Sequence, residues 1–237
     1  MLSAIKKFWA IVGLVSLELV VVLLLFFGAI FAFAYLAYTV FELNNTVFDR
    51  QVFSTIEPYI NEANTRLMNG VTLFASHGFL LPANIILAAY FIFKRHRWYS
   101  IKIPVVAISS YLLMALMKLY FERERPDDPV HQAAAGFSFP SGHAMSAMTF
   151  YGILIYLVWK NVKSGTLQWI LIVLLVLFIF MIGFSRVYLR VHYASDVFAG
   201  FSLGLVWLVL SLWVMKKIEN FTERKVAPEV NNDTPGS

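Results

Sequence analysis

The 237-residue chain contains no cysteine, and only 14% of its residues are charged. The first absence removes disulfides, thiolate nucleophiles and cysteine-ligated zinc or iron–sulfur centres. The second is far below the roughly 25% charged residues of a soluble domain. No glycine-rich loop ends in Gly-Lys-Ser or Gly-Lys-Thr, so P-loop nucleotide chemistry has no seat. The aspartate-rich clusters of a two-metal phosphatase are missing as well. Basic residues form neither a stripe nor an aromatic-interleaved patch, so the net charge of +5 does not read as a nucleic-acid surface.

Apolar sequence is what the chain has in excess: 59% of residues are hydrophobic and the mean hydropathy is +0.71. Six long runs carry it, near 8–41, 71–93, 101–120, 141–159, 167–184 and 197–215. A soluble core cannot shield six such runs, whereas in a bilayer the lipid is itself the apolar solvent. The expected fold is all-α, a six-transmembrane-helix bundle over residues 1–220, followed by a polar, disordered cytoplasmic tail at 221–237. The first run is far longer than a signal-peptide core and reads as a retained helix, with Glu18 in it as a structural carboxylate. Between the first two runs, residues 42–69 mix polar groups with Phe48, Phe53, Ile56, Tyr59 and Ile60. That pattern suits a short amphipathic helix in the membrane interface, interrupted at Pro58.

Six spans put both termini on one side. The segments on that side hold twelve Lys and Arg and the opposite segments seven, so the positive-inside tendency places the termini in the cytoplasm. Five of the seven are Lys118, Arg123, Arg125, Arg186 and Arg190. They lie in two stretches, 118–143 and 185–196, that share the outer face.

These stretches hold the polar residues least at home in a membrane. Lys118 and Arg186 end the third and fifth runs and need anionic partners, for which Glu122, Glu124, Asp127 and Asp128 are near in sequence. Pro140-Ser141-Gly142-His143 opens the fourth run, and a helix start of this kind offers free backbone N–H groups to a phosphate. His192 and Asp196 are four apart. On a helix beginning near His192 they share a face, and the carboxylate can hold one imidazole nitrogen protonated while the other acts as base or nucleophile. Lys118, Arg125 and Arg186 with the Ser141–His143 backbone can hold a phosphoryl group, and two histidines offer a nucleophile and an acid. The inventory suits phosphoryl transfer without metal or cofactor.

The patterns Lys118-x6-Arg125-Pro126, Pro140-Ser141-Gly142-His143 and Ser185-Arg186-x5-His192-x3-Asp196 resemble the three motifs of the type 2 phosphatidic acid phosphatase superfamily, in order and spacing. The resemblance implies a core shared with vanadium haloperoxidases, although the membrane spans argue against that soluble branch. It implies that His192 attacks phosphorus to form a phosphohistidine, Asp196 orients it, and His143 protonates the leaving oxygen. It further implies that Lys118, Arg125, Ser141, Gly142 and Arg186 bind the phosphate oxygens. The enzyme so implied is a bacterial cytoplasmic-membrane phosphatase with an extracytoplasmic site, acting on undecaprenyl diphosphate, phosphatidylglycerophosphate or phosphatidate. No nucleic acid and no obligate protein partner are implied. The alternatives are transfer to an acceptor other than water and a lipid-phosphate carrier. Asp127, Asp128 and His131 are candidates for headgroup contact, Arg190 for a second phosphate, and His77 for lining the pocket; His96 lies on the cytoplasmic side.

Overall fold

The computed structural model describes residues 17–130 and 135–232. The start of the first run at Phe8, His131 and the last five residues lie outside the described residues. Among those described there are helices and no strand. Helix α1 (Leu17–Ala37) continues as a π-helical turn through Tyr38–Glu42. Helix α2 (Val47–Ile56) falls where the amphipathic helix is expected, and a 3-10 turn at Glu57–Tyr59 accommodates Pro58. Next come α3 (Glu62–Leu73), α4 (His77–Phe93), α5 (Arg97–Phe121), α6 (Gly142–Asn161), α7 (Gly165–Tyr188) and α8 (Ala194–Asn232). Six segments are long and apolar enough to cross a membrane, with α3 and α4 together making the second.

Three details differ from the sequence reading. The second apolar run is not one helix from Val71, because α3 stops at Leu73 and α4 restarts at His77. The break is satisfied locally: the Ser76 hydroxyl accepts from Phe79 N at 3.3 Å, and Tyr151 OH donates to Phe74 O at 2.8 Å. The sixth span begins at Ala194, so His192 precedes the helix instead of lying on it. That helix also continues to Asn232, past residue 220 where composition set the boundary.

The bundle is built around α6. Small residues let α8 approach it closely: a Cβ on Gly200 would stand 2.6 Å from the Ser141 carbonyl oxygen, and one on Gly204 2.9 Å from Met148 Cβ. Small residues one turn apart allow this kind of contact between helices that have no hydrophobic force pulling them together in lipid. At the end away from the motifs, Lys102 and Glu219 pair at 2.9 Å and tie α5 to α8. At the motif end, Tyr188 OH donates to Tyr59 O at 3.1 Å and accepts from Asn61 N at 3.2 Å, seating the turn after α2 on α7.

Gly200→Ala should lower the stability of the detergent-solubilised protein by about 1–3 kcal/mol, because the added methyl overpacks a backbone contact. Thermal unfolding checks this; an unchanged midpoint would show that the α6–α8 contact can spread at no cost.

Candidate active site

Four helix ends converge at the motif end: the last turns of α5 and α7 and the first turns of α6 and α8. Lys118 lies in the last turn of α5, which terminates at Glu122 with a left-handed φ of 46°. Arg186 lies in the last turn of α7. The long stretch between α5 and α6 is tied down by Ser138 N donating to Arg123 O at 2.7 Å and Val130 N to Leu189 O at 3.0 Å. After α7 the chain curls back, with Val191 N and His192 N both donating to Arg186 O at 3.2 and 3.3 Å. This curl, and not helical spacing, brings His192 onto Asp196.

Lys118, Arg125 and Arg186 lie within electrostatic reach of one another. Lys118 Nζ donates to the Phe137 carbonyl. Arg125 donates to Gly136 O at 2.8 Å and Val191 O at 2.6 Å. Arg186 Nη1 donates to Thr72 Oγ1 at 2.8 Å, and its buried Nε has no acceptor. Among the described residues none of the three has a carboxylate within ion-pair distance, the nearby acids of residues 122–128 included. Three neighbouring cations with no carboxylate at ion-pair distance are a costly arrangement unless an anion joins them.

The His192 ring is oriented by its neighbours. Arg125 Nη1 is 3.2 Å from Nε2. A guanidinium can only donate, so Nε2 carries the lone pair and Nδ1 the proton. Nδ1 faces Asp196 Oδ2 at 3.5 Å and Ser138 Oγ at 3.4 Å. Burial pushes the His192 pKa down to about 4; Asp196 pulls the other way, and Arg125 and Lys118 add to the fall. The ring is therefore neutral near pH 7. Burial also lowers the Arg125 pKa, with Asp196 offsetting part of the effect.

His143 stands in the first turn of α6, within electrostatic reach of His192, Arg186, Arg125 and His77. Ser141 is the N-cap of α6, its hydroxyl accepting from Ala144 N at 3.5 Å. Contrary to expectation, the Ser141 N–H is not free for an anion, because it donates to Asp196 O at 2.9 Å. The amides of Gly142 and His143, at the start of the helix, take no protein acceptor among the described residues.

The PAP2 superfamily profile matches residues 99–219, which contain every residue placed above at the site except Thr72 and His77. The chain belongs to the PAP2 superfamily. It is 35% identical to phosphatidylglycerophosphatase B of Bacillus subtilis over 170 residues, 71% of this chain and 81% of that protein. To the undecaprenyl-diphosphatase of Sulfolobus acidocaldarius it is 29% identical over 172 residues, 68% of this chain and 79% of that one. The solved transmembrane PAP2-type phosphatidylglycerolphosphate phosphatase of Bacillus subtilis superimposes with a TM-score of 0.75 at 29% identity, covering 82% of this chain and 98% of that one. These relatives are lipid phosphatases, and the chain is an enzyme of that class.

Around this PAP2 centre the remaining candidates separate. Asp127 and Asp128 are exposed. Arg190 is 3.6 Å from Glu57 and 5.6 Å from the Phe53 ring, so it is held to the turn after α2. His77 packs edge-on against Tyr111 at 5.4 Å and also borders a groove between α4, α5 and α6. His96 packs with Phe91 and Tyr99, and the latter reaches Lys102 at the far end. Five residues that the motifs do not mark as ligands join the site: Thr72 on Arg186, Ser138 on Asp196, and the buried set Asp49, Arg123 and Ser195. Burial works against the charge on Arg123, but Asp196 and Asp49 outweigh it and hold its pKa above the usual arginine value.

Inorganic phosphate should stabilise the purified protein, since an anion that binds only the folded state adds about 2.7 kcal/mol at a hundred times its dissociation constant. Arg186→Gln should abolish most of that rise in unfolding temperature. A phosphate effect of equal size in the variant would remove Arg186 from the anion site.

Proposed function

We propose that this PAP2 enzyme hydrolyses lipid monophosphates or diphosphates without a metal, through a phosphohistidine on His192. The observation that carries the reading is the unprotonated Nε2 of His192 beside Arg125 and within electrostatic reach of Lys118, neither of which has a carboxylate at ion-pair distance among the described residues. In the free enzyme Arg125 caps that nitrogen. A bound phosphoryl group draws the guanidinium onto its oxygens and exposes the lone pair. Nε2 then attacks phosphorus as the bond to the lipid oxygen breaks, and His143 gives its proton to that oxygen. Lys118, Arg125, Arg186 and the Gly142 and His143 amides take up the charge on the phosphoryl oxygens. Water next attacks phosphorus, His143 takes its proton, and the N–P bond breaks to release phosphate. Asp196 keeps the Nδ1 proton in place and balances the charge on the ring. Metal independence is supported by the cations themselves, which can supply the positive charge that a metal ion would otherwise bring to the phosphoryl oxygens.

A lipid substrate is supported by the groove of about 610 Å³ between α4, α5 and α6. His77 and Tyr111 border it, as does Ser146, one turn along α6 from His143, and Leu81, Ile85 and Ile108 line its apolar length. A phosphate at the helix ends can thus have its hydrocarbon chain in the groove. Undecaprenyl diphosphate and phosphatidylglycerophosphate, the substrate types named for its relatives, both fit this arrangement, as does phosphatidate. The site faces the extracytoplasmic side of a bacterial cytoplasmic membrane and both termini face the cytoplasm, in keeping with the twelve-to-seven split of Lys and Arg.

Purified protein should release phosphate from these lipids in EDTA, and His192→Ala should lose turnover. With the substrate's own ionisation divided out, the acid-side fall in kcat/KM should come only near pH 4, because the nucleophile's lowered pKa keeps it neutral above that. Full activity of the His192 variant would end the assignment. Sidedness has its own test, made simple by the absence of native cysteine. In intact cells an impermeant maleimide should label Asp127→Cys and spare Lys163→Cys; the reverse pattern would invert the topology.

A further inference from the structure

Asp49 is out of place on its helix. The other polar residues of α2, Arg50, Gln51, Ser54 and Thr55, are exposed, yet Asp49 is only 2% exposed. Its carboxylate is fully used. Oδ2 accepts from Arg123 Nη2 at 2.8 Å and from Ser195 Oγ at 2.6 Å, and Oδ1 accepts from Ser195 N at 2.8 Å. Arg123 then turns Nη1 to Asp196 Oδ1 at 2.5 Å and to Ser195 Oγ at 2.7 Å, with its flat face 4.1 Å from the centre of the Tyr193 ring. One guanidinium therefore bridges two buried carboxylates, and Asp49 also grips the backbone of the residue before Asp196.

We infer that Asp49 and Arg123 are positioning residues for the phosphohistidine reaction: they fix the Asp196 carboxylate and leave a net negative charge on the Nδ1 side of His192, opposite Arg125. The inference rests on the reading of His192 as nucleophile. Two carboxylates and one guanidinium sum to one negative charge. When Nε2 bonds to phosphorus while Nδ1 keeps its proton, the ring becomes positive, and that surplus charge is where the positive charge appears. Without Asp49, Arg123 would cancel Asp196 alone, and the ring would build its charge beside a neutral pair. Without Arg123, two buried carboxylates would lack a counter-cation, and one would take up a proton or turn away. Neither residue reaches the phosphate, so both act through Asp196. The interfacial helix α2 is thereby made part of the catalytic apparatus.

The test compares wild type, Asp49→Asn, Arg123→Lys and the double variant, with Glu62→Gln in an exposed surface pair as control. Asp49→Asn keeps shape and loses charge; Arg123→Lys keeps charge and loses the two-armed bridge. For each single variant kcat should fall about 10- to 100-fold, the scale for misplacing a reacting group, and labelling of the phosphoenzyme should slow by the same factor. Inhibition by inorganic phosphate should stay within about 3-fold of wild type, and the double variant should be little worse than the weaker single one. The inference is overturned if Asp49→Asn and Arg123→Lys keep wild-type kcat, or if phosphate affinity and unfolding temperature drop along with it. If Asp49→Asn does not fold, Arg123→Lys alone decides by the same criteria. Undiminished turnover in His192→Ala overturns the underlying reading as well. An inactive His192→Ala beside unaffected Asp49 and Arg123 variants overturns only the positioning role.

Discussion

The Asp196 carboxylate has no exposed surface, and the site is organised around satisfying it. A buried carboxylate costs several kcal/mol unless its lone pairs meet donors and its charge meets a cation. Oδ1 takes Arg123 at 2.5 Å. Oδ2 takes the Ser138 hydroxyl, Tyr193 N at 2.9 Å and the Nδ1 side of His192. These donors come from the two connections α5–α6 and α7–α8, and through Arg123 the set extends to α2. A single buried charge thus ties together the ends of α5 to α8 and helix α2. The close α6–α8 contact at Gly200 holds Asp196 and the Ser141 cap in one unit.

Two kinds of cation follow from this arrangement. Arg123 is spent on carboxylates and serves the protein's own electrostatics. Lys118, Arg125 and Arg186 are held mostly by carbonyls and one hydroxyl, which orient a positive charge without cancelling it. The difference lies in the acceptor type. Carbonyl oxygens carry only partial charge, so a cation resting on them keeps most of its attraction for an anion, and low polarizability around the site strengthens that attraction. The free enzyme carries this imbalance at some cost in stability, which on the proposed reading an incoming phosphate would relieve.

The six apolar runs and the three motifs were legible in the sequence because each is local: length and composition mark a span, and fixed spacing marks a motif. What escaped was set by tertiary contact. The break between Leu73 and His77 depends on Tyr151, far along the chain, meeting the Phe74 carbonyl. The loss of the Ser141 amide depends on the Asp196 carbonyl meeting it across a helix pair. Asp49 contacts Arg123 and Ser195 at separations of 74 and 146 residues, beyond any motif. A cue was nonetheless present. Asp49 shares the helical stripe of Val52, Phe53 and Ile56, and an acid on the apolar face of an amphipathic helix needs a buried partner. Arg123 had no such cue, since the run from Glu122 to Arg125 alternates acid and base and only packing decides which side chain turns inward.

Charge and groove answer different questions about the substrate. The cations lie at helix ends and attract any phosphoryl group, whether it ends in one phosphate or two, so they confer chemistry more than choice. The groove begins beside His77 and runs along apolar side chains of α4, α5 and α6, away from the ion-pair network around Asp196. Discrimination among lipids on this arrangement comes from chain shape and from the groups between chain and phosphate. A hydrophobic surface rejects a missing or added methylene only weakly, by about 1–3 kcal/mol. On the proposed reading, an enzyme built this way would accept a family of lipid phosphates in place of one, with the preferred member set by which hydrocarbon chain packs best against α4 and α5.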